Sequence, residues 1–137
     1  MNVVELIKLH EGLRLKPYRC TSNKLTIGYG RNIEDRGISN QEAETLLSND
    51  ISQVTIELEK KLTFMFCLDE VRRAVLIDMA FNMGVSGLLR FSKTLSCIRA
   101  GEYDEAAMEM LDSRWANQVG KRSIRLAEMM RTGKWAE

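Results

Sequence analysis

Leu9 to Arg31 reads L-H-E-G-L-R-L-K-P-Y-R-C-T-S-N-K-L-T-I-G-Y-G-R, and the interpretation of the rest of the chain starts from this stretch. It joins the end of an amphipathic pattern to segments interrupted by Gly and Pro. Glu11 supplies a carboxylate, Cys20 a thiol nine positions later and Thr26 a hydroxyl six positions after that. A carboxylate at a helix end, facing a hairpin with nucleophile-type side chains, is suited to bond hydrolysis.

The residues before and within this stretch predict one helix and a sheet edge. A helix is predicted over residues 2–11, with Asn2 as its N-cap and Gly12 as its stop. Residues 13–18 alternate only partly and include Pro17, which cannot donate to a ladder, so any strand there must be an edge strand.

A β-branched strand is predicted next, over residues 25–29. Gly28 and Gly30 carry no side chain, so another backbone or a ligand could approach the chain closely at these positions. Residues 31–38 are predicted to be a polar loop, with room for a third short strand.

The strongest helix start in the chain is the capping box Ser39-Asn40-Gln41-Glu42. Apolar residues then recur every three or four positions: Leu47, Ile51, Val54, Leu58 and Leu62. This spacing predicts a helix of roughly six turns that ends near Lys61.

Helices are predicted for most of the remaining chain. Asp69 is a predicted N-cap, and the helix after it is apolar nearly all round, which is typical of a helix at the centre of a core. Shorter helices are predicted over about 88–99, 104–113 and 120–132. The fold class is therefore α+β in a single domain, residues 1–137. Its predicted parts are a β lobe (about 12–38), a linking helix (about 39–61) and a helical lobe (about 62–137, with the N-terminal helix 2–11).

Composition and charge are ordinary for one soluble globular domain: 45% of the 137 residues are hydrophobic, 28% are charged and the net charge is +1. The last 24 residues hold six basic and two acidic residues, a net charge of +4, which leaves −3 for the remainder. Such a basic segment favours an anionic polymer as partner, such as nucleic acid or a cell-wall glycan, while the simpler interpretation is a solvated helix face.

The cysteine and histidine content argues against disulfide bonds and metal sites. Cys20, Cys67 and Cys97 are an odd set without a secretory leader, which indicates free thiols in a reducing compartment. His10 is the only histidine, so no metal-ligand cluster and no cofactor are expected. The N-terminal segment has neither a signal peptide pattern nor a membrane-anchor pattern.

Each candidate site residue has a simpler interpretation when taken alone. Glu11 could be an ordinary surface glutamate, or an acid whose pKa is kept high at a helix C-terminus, where a cationic partner would hold it. Cys20 could be a small buried apolar residue, a polar neighbour of a water, or a nucleophile. Thr26 could be a strand former or the ligand of a water.

Taken together, these residues carry a resemblance to the bacteriophage-type lysozymes, the endolysins of glycoside hydrolase family 24. The resemblance runs nearly end to end and is strongest in Glu11-Gly12-Leu13-Arg14, Tyr18, Cys20 and Thr26-Ile27-Gly28-Tyr29-Gly30. The family signature is a Glu, eight residues, an Asp or Cys, five residues and a Thr, and Glu11, Cys20 and Thr26 fit it.

Later segments resemble the same family. They are Leu68–Ala74, Phe81–Gly84, Arg114–Gln118 and Arg131–Trp135. The resemblance places Arg122 as the cation that pairs with the catalytic glutamate, and it makes Phe81, Asn82 and Thr94 candidates to line a glycan groove. Two departures are visible: many relatives have Asp at the position of Cys20, and the chain is shorter than the longest relatives, chiefly in the β lobe and the loop after it.

The resemblance implies a lysozyme-like fold and a bacteriolytic muramidase without cofactors. It would hydrolyse the β-1,4 bond between N-acetylmuramic acid and N-acetylglucosamine in peptidoglycan during host lysis by a phage. Glu11 would be the acid, and Cys20 and Thr26 would position a water, or Cys20 would attack carbon directly. Alternatives are a lytic transglycosylase and a nucleic-acid-binding helical domain.

The expected partner is the glycan strand of peptidoglycan, with no nucleic acid and no stable membrane insertion. The resemblance also implies a monomer in the host cytoplasm. That monomer would reach the wall only after a holin-type protein permeabilises the membrane.

Overall fold

The computed structural model describes residues 1–136, and the chain divides into two compact units. The first, called the β unit, spans Met1–Leu46, and the second, called the helical unit, begins at Leu47. The boundary falls inside one long helix. The β unit includes the N-terminal helix, whereas the sequence assigned that helix to the helical lobe.

The N-terminal helix α1 spans Val3–Glu11, as the sequence predicted. Asn2 caps it by accepting a hydrogen bond from the Glu5 backbone N–H, while the Glu5 carboxylate accepts from the Asn2 N–H, each at 3.0 Å. Gly12 ends it with a φ of +69°. All of its side chains are exposed.

A three-stranded antiparallel sheet follows in the order β1 (Arg14–Arg19), β2 (Leu25–Gly28) and β3 (Arg31–Asn32). The strand that contains Pro17 lies at an edge, as predicted, and its register with β2 is irregular between Arg14 and Tyr18. Thr26 lies opposite Tyr18 on one side and Asn32 on the other, so it occupies the middle of the sheet.

The predicted polar loop over residues 31–38 is wrong in its second part, because residues Ile33–Arg36 form a short helix, α2. Asn32 caps it by accepting from the Asp35 backbone N–H at 3.0 Å. The helix is too short for a period to be seen in the sequence. It presents Glu34, which accepts from Arg19 at 2.7 Å, so the helix is fastened back onto the sheet.

The long helix α3 spans Asn40–Lys61 and begins at the predicted capping box. The Ser39 N–H donates to Glu42 at 2.9 Å, and the Glu42 N–H donates to the Ser39 hydroxyl at 3.1 Å. Its apolar stripe is buried only toward the C-terminal end. Leu58 is 0% exposed, whereas Leu47 is 43% exposed.

The helical unit contains the rest of α3, a short 3-10 helix (Thr63–Cys67), α4 (Glu70–Met83), α5 (Val85–Leu89), α6 (Ser92–Arg99), α7 (Tyr103–Leu111), α8 (Arg114–Val119) and α9 (Lys121–Thr132). The single helix predicted over 88–99 is wrong. Phe91 leaves helical geometry with a ψ of +58° and separates α5 from α6, while its ring packs edge-on against Trp115 at 6.0 Å. The sequence also missed α8, which Ser113 caps by accepting from the Ala116 N–H at 3.1 Å.

Helix α4 lies at the centre of the helical core, as its all-round apolar pattern predicted. Its buried residues are Val71, Val75, Leu76, Met79 and Ala80. They pack with buried side chains from α3, α6, α7 and α9, including Leu58, Ile98, Met110 and Met130. Within residues 1–136, no helix has both the length and the apolar character that crossing a membrane requires.

Candidate active site

Glu11 is the last residue of α1, and its carboxyl group lies against the loop that joins β2 to β3. A Cβ placed on Gly30 would be 2.6 Å from Glu11 Oε2 and 2.8 Å from its Cδ. A second contact also joins α1 to this loop, because Lys8 Nζ lies 5.2 Å from the centroid of the Tyr29 ring. The acid is thus held at the end of β2, the strand that carries Thr26.

Cys20 and Thr26 lie together at the β1–β2 hairpin. Cys20 follows the last residue of β1, and its backbone N–H donates to the Lys24 carbonyl at 3.0 Å. The same carbonyl accepts from the Thr26 hydroxyl at 2.8 Å. Thr26 is only 3% exposed. Because its hydroxyl proton is used inside the protein, its oxygen keeps free lone pairs that can accept a hydrogen bond from water.

The hairpin also acts on the Cys20 thiol, which is half-buried and unpaired. The backbone N–H of Lys24, with a smaller contribution from that of Ser22, lowers the pKa of the Cys20 thiol from its ordinary value. These donors favour the thiolate because they stabilise negative charge on sulfur. The position is therefore suited to accept a proton from a water or to attack carbon.

A cavity of about 870 Å³ in the β unit does not coincide with these three residues. Its apolar lining includes Leu25, Ile27, Ile33, Ile38 and Leu46. Leu25 and Ile27 flank Thr26 along the strand, and successive strand residues point to opposite faces of a sheet. The cavity therefore lies on the sheet face opposite Thr26, and we do not assign it to the active site.

In the helical unit, Arg122 forms an ion pair with Asp78 of α4. Its Nε donates to Asp78 Oδ1 at 2.8 Å, and its Nη2 reaches the Asp78 backbone oxygen at 3.4 Å. A guanidinium has five N–H donors, so this contact leaves others free for a second acceptor. The sequence gave no signal for Asp78, because a helical spacing does not show which residue of a different helix it will meet.

Phe81 and Asn82 lie one turn after Asp78 on the same face of α4. Phe81 is 44% exposed, and the Asn82 side-chain oxygen accepts from the Trp115 indole N–H at 2.8 Å. Thr94 lies on α6 and is only 2% exposed, in the wall of a cavity of about 400 Å³. The glycan contacts that the resemblance implies for Phe81, Asn82 and Thr94 stay predictions.

One group of side chains in the described part of the chain could hold a cation. Ligand atoms of Cys97, Glu102 and Glu105 all lie within 4.8 Å of one another. Burial, followed by the charges of Glu105 and Glu102, raises the pKa of the Cys97 thiol. Glu102 and Glu105 are exposed, and exposed acidic groups are common without a bound ion, so we do not assign this group as a metal site.

Comparison with known proteins agrees with this architecture. Residues 8–131 match the Phage lysozyme family. The chain is 29% identical over 161 aligned residues to probable T4-type lysozyme 1 of Dictyostelium discoideum, covering 96% of this chain and 95% of that protein. It is 34% identical over 122 residues to the endolysin of Acyrthosiphon pisum secondary endosymbiont phage 1, covering 86% and 81%. It is also 34% identical to the endolysin of Bacillus phage B103, covering 86% of this chain and 45% of that protein.

These matches define the class of the protein as a lysozyme-type cell-wall hydrolase, which is a glycoside hydrolase. The chain belongs to the phage lysozyme family. The predicted resemblance and the α+β lysozyme-like fold class are thereby confirmed.

Proposed function

We propose that the protein is a muramidase that hydrolyses the β-1,4 bond between N-acetylmuramic acid and N-acetylglucosamine in bacterial peptidoglycan. The observation that carries the proposal is the position of Glu11, whose carboxyl group is held at the end of the strand that carries Thr26. Membership of the phage lysozyme family supports the same assignment.

Glu11 would act as the general acid. Protonation of the leaving oxygen lets the glycosidic bond break with development of an oxocarbenium-like sugar. Glu11 ends α1, which brings its carboxyl group to the loop between β2 and β3.

Thr26 and Cys20 would hold the attacking water. A water that donates one hydrogen to the Thr26 oxygen turns a lone pair away from it, toward the sugar carbon. A Cys20 thiolate would accept the second hydrogen and later the proton itself. Water attack inverts the anomeric configuration, while direct attack by sulfur followed by hydrolysis would retain it. We favour water, because the Thr26 oxygen is available only as an acceptor.

Arg122 would orient Glu11 by a charge-assisted hydrogen bond, the role that the resemblance gives it. The contacts with Asp78 use only some of the N–H donors of Arg122, which leaves others for the Glu11 carboxylate as a second acceptor. Phe81, Asn82 and Thr94 would contact the glycan.

The biological role would be host cell lysis by a phage. The protein would act as a monomer, with peptidoglycan strands as its partner. It would stay in the host cytoplasm until a holin-type protein permeabilises the membrane.

The deciding experiment is a turbidity assay on outer-membrane-stripped cells with Glu11→Gln beside the unchanged protein. Gln keeps the size of the side chain but has no proton to donate, so lysis should fall by at least ~100-fold while the circular dichroism spectrum is preserved. Lysis by Glu11→Gln at the native rate would remove Glu11 from the acid role. Mass spectrometry of the digest identifies a lytic transglycosylase, whose 1,6-anhydro products lack one water.

Cys20→Asp separates the two roles of the thiol. A carboxylate can hold the same water, so substantial activity is expected if water attacks. Loss of all activity would favour covalent attack by sulfur. NMR of the first-formed anomer then reports inversion or retention directly.

A further inference from the structure

The contact between Glu11 and Gly30 involves the reactive end of the acid. A Cβ on Gly30 would be 2.6 Å from Oε2, 2.8 Å from Cδ and 3.2 Å from Cγ of Glu11. The first two separations are shorter than real Cβ contacts allow. The carboxyl group therefore occupies the volume that an alanine methyl group would fill, and only glycine at residue 30 leaves that volume open.

The surroundings determine what would move if a methyl group were added. Glu11 is a flexible side chain, and its far end is the part in contact. The last turn of α1 is also connected to the same loop by the Lys8–Tyr29 contact at 5.2 Å. Because the helix is fastened and the side chain is not, an added methyl group would be accommodated by rotation of the Glu11 carboxyl group away from the loop.

We propose that Gly30 is a positioning residue for Glu11, whose absent side chain forms the seat of the carboxyl group. The inference rests on the proposed role of Glu11 as the acid. Proton donation requires a hydrogen-bond distance to the leaving oxygen, so displacement of the carboxyl group by about 1 Å would slow the reaction by on the order of 100-fold. Substrate binding would change little.

Gly28, the last residue of β2, provides a matched control two positions before Gly30. Its φ is +71° and that of Gly30 is +75°, so alanine meets similar backbone strain at either position. A Cβ on Gly28 has no neighbour within 4 Å, in contrast to the Glu11 carboxyl group beside Gly30. The two alanine variants therefore differ in the contact with the acid.

The test measures kcat and KM on purified peptidoglycan for Gly30→Ala and Gly28→Ala. We expect both variants to fold and kcat of Gly30→Ala to be about 10- to 100-fold below that of Gly28→Ala, with similar KM. The pH profile of kcat/KM should change only in Gly30→Ala, since only that substitution displaces the acid. Equal kcat values and pH profiles would overturn the inference.

A second arm measures the contact without using activity. Because the Glu11 side chain can rotate away, any excess loss of Tm in Gly30→Ala over Gly28→Ala should be small, and it should vanish in a Glu11→Ala background, where the group that clashes is missing. An excess that persists in Glu11→Ala would overturn the assigned contact.

Failure of the inference and failure of the proposed function give different results. If the inference alone fails, Glu11→Gln is inactive while Gly30→Ala matches Gly28→Ala. If the proposed function fails, Glu11→Gln lyses walls at the native rate.

Discussion

Arg31 and Glu42 form a bidentate ion pair that connects β3 to the first turn of α3. The Nη1–Oε1 distance is 2.9 Å, and the Nη2–Oε2 distance is 2.5 Å. Both groups have a further partner, because Glu42 accepts from the Ser39 N–H and Arg31 donates to the Gly37 carbonyl. Within the β unit, this pair fixes the sheet to the start of the long helix.

This ion pair predicts that the stability of the folded protein falls at acid pH. Arg31, followed by the Ser39 N–H, lowers the pKa of Glu42 from 4.5 to about 2. A lowered folded-state pKa adds stability that is complete above the unfolded value and is lost as pH falls through the folded value. Glu42→Gln should therefore lower Tm at neutral pH and flatten the fall of Tm between pH 4.5 and about 2.

The exposed Glu57, on the same helix, is the control for Glu42. Glu57→Gln should leave the acid limb of the Tm curve unchanged. Identical acid limbs for Glu42→Gln and the unchanged protein would contradict the assignment of this stability to the ion pair.

Arg72 closes the C-terminal end of α9, and its loss should destabilise the helical unit. Its guanidinium donates to the backbone oxygens of Met130 at 2.7 Å and Arg131 at 3.0 Å, and it stacks 3.6 Å from the Tyr103 ring centroid. Arg72→Met keeps most of the apolar stem but removes these donors, so urea unfolding should show a loss of about 2–4 kcal/mol. Arg131→Met removes an exposed pair with Glu128, which solvent screens, and should cost much less. Equal losses would contradict the capping role of Arg72.

Much of the fold was predictable because its signals are local. The capping box at Ser39 fixes the start of α3, and Asp69 fixes that of α4, since each side chain satisfies backbone N–H groups within three residues. The break at Phe91 was not predictable. It accompanies a packing contact with Trp115, which lies 24 residues away in the sequence, and such a contact leaves no periodic trace.

The candidate site was likewise predictable only where its signals are local in the sequence. The spacing of Cys20 and Thr26 brings them together through one hairpin, whose turn at residues 21–23 is visible in the sequence. The two glycines after Thr26 indicated that another group approaches the chain closely. They did not indicate that the group beside Gly30 is the Glu11 carboxyl group, or that nothing lies within 4 Å of a Cβ placed on Gly28. The ion pair between Arg122 and Asp78 depends on how two helices pack, which the sequence pattern does not determine.

The two ends of the α3 apolar stripe should respond differently to truncation. Leu58 is 0% exposed and Leu47 is 43% exposed, although both belong to one helical pattern. Leu58→Ala should cost about 2–5 kcal/mol, because it leaves a cavity in a packed core, whereas Leu47→Ala should cost under ~1 kcal/mol. Urea denaturation measures both. Comparable losses would mean that the N-terminal half of the stripe is covered in solution.

The Cys20 and Cys97 thiols should titrate in opposite directions. The Lys24 N–H, with the Ser22 N–H, lowers the pKa of Cys20, whereas burial raises that of Cys97. Only the thiolate reacts with iodoacetamide, so the pH of half-maximal alkylation should lie below the ordinary value for Cys20 and above it for Cys97.

Two single-thiol proteins make this measurement clean: Cys67→Ser/Cys97→Ala leaves Cys20, and Cys20→Ser/Cys67→Ser leaves Cys97. Intact-mass spectrometry after a short pulse at each pH gives the two midpoints. Both midpoints should converge at a urea concentration that unfolds the protein, because unfolding removes the hairpin donors and the burial alike. A Cys20 midpoint equal to that of Cys97 in the native protein would mean that the hairpin does not activate the thiol, and Cys20 would then lose its proposed role as the acceptor of the water proton.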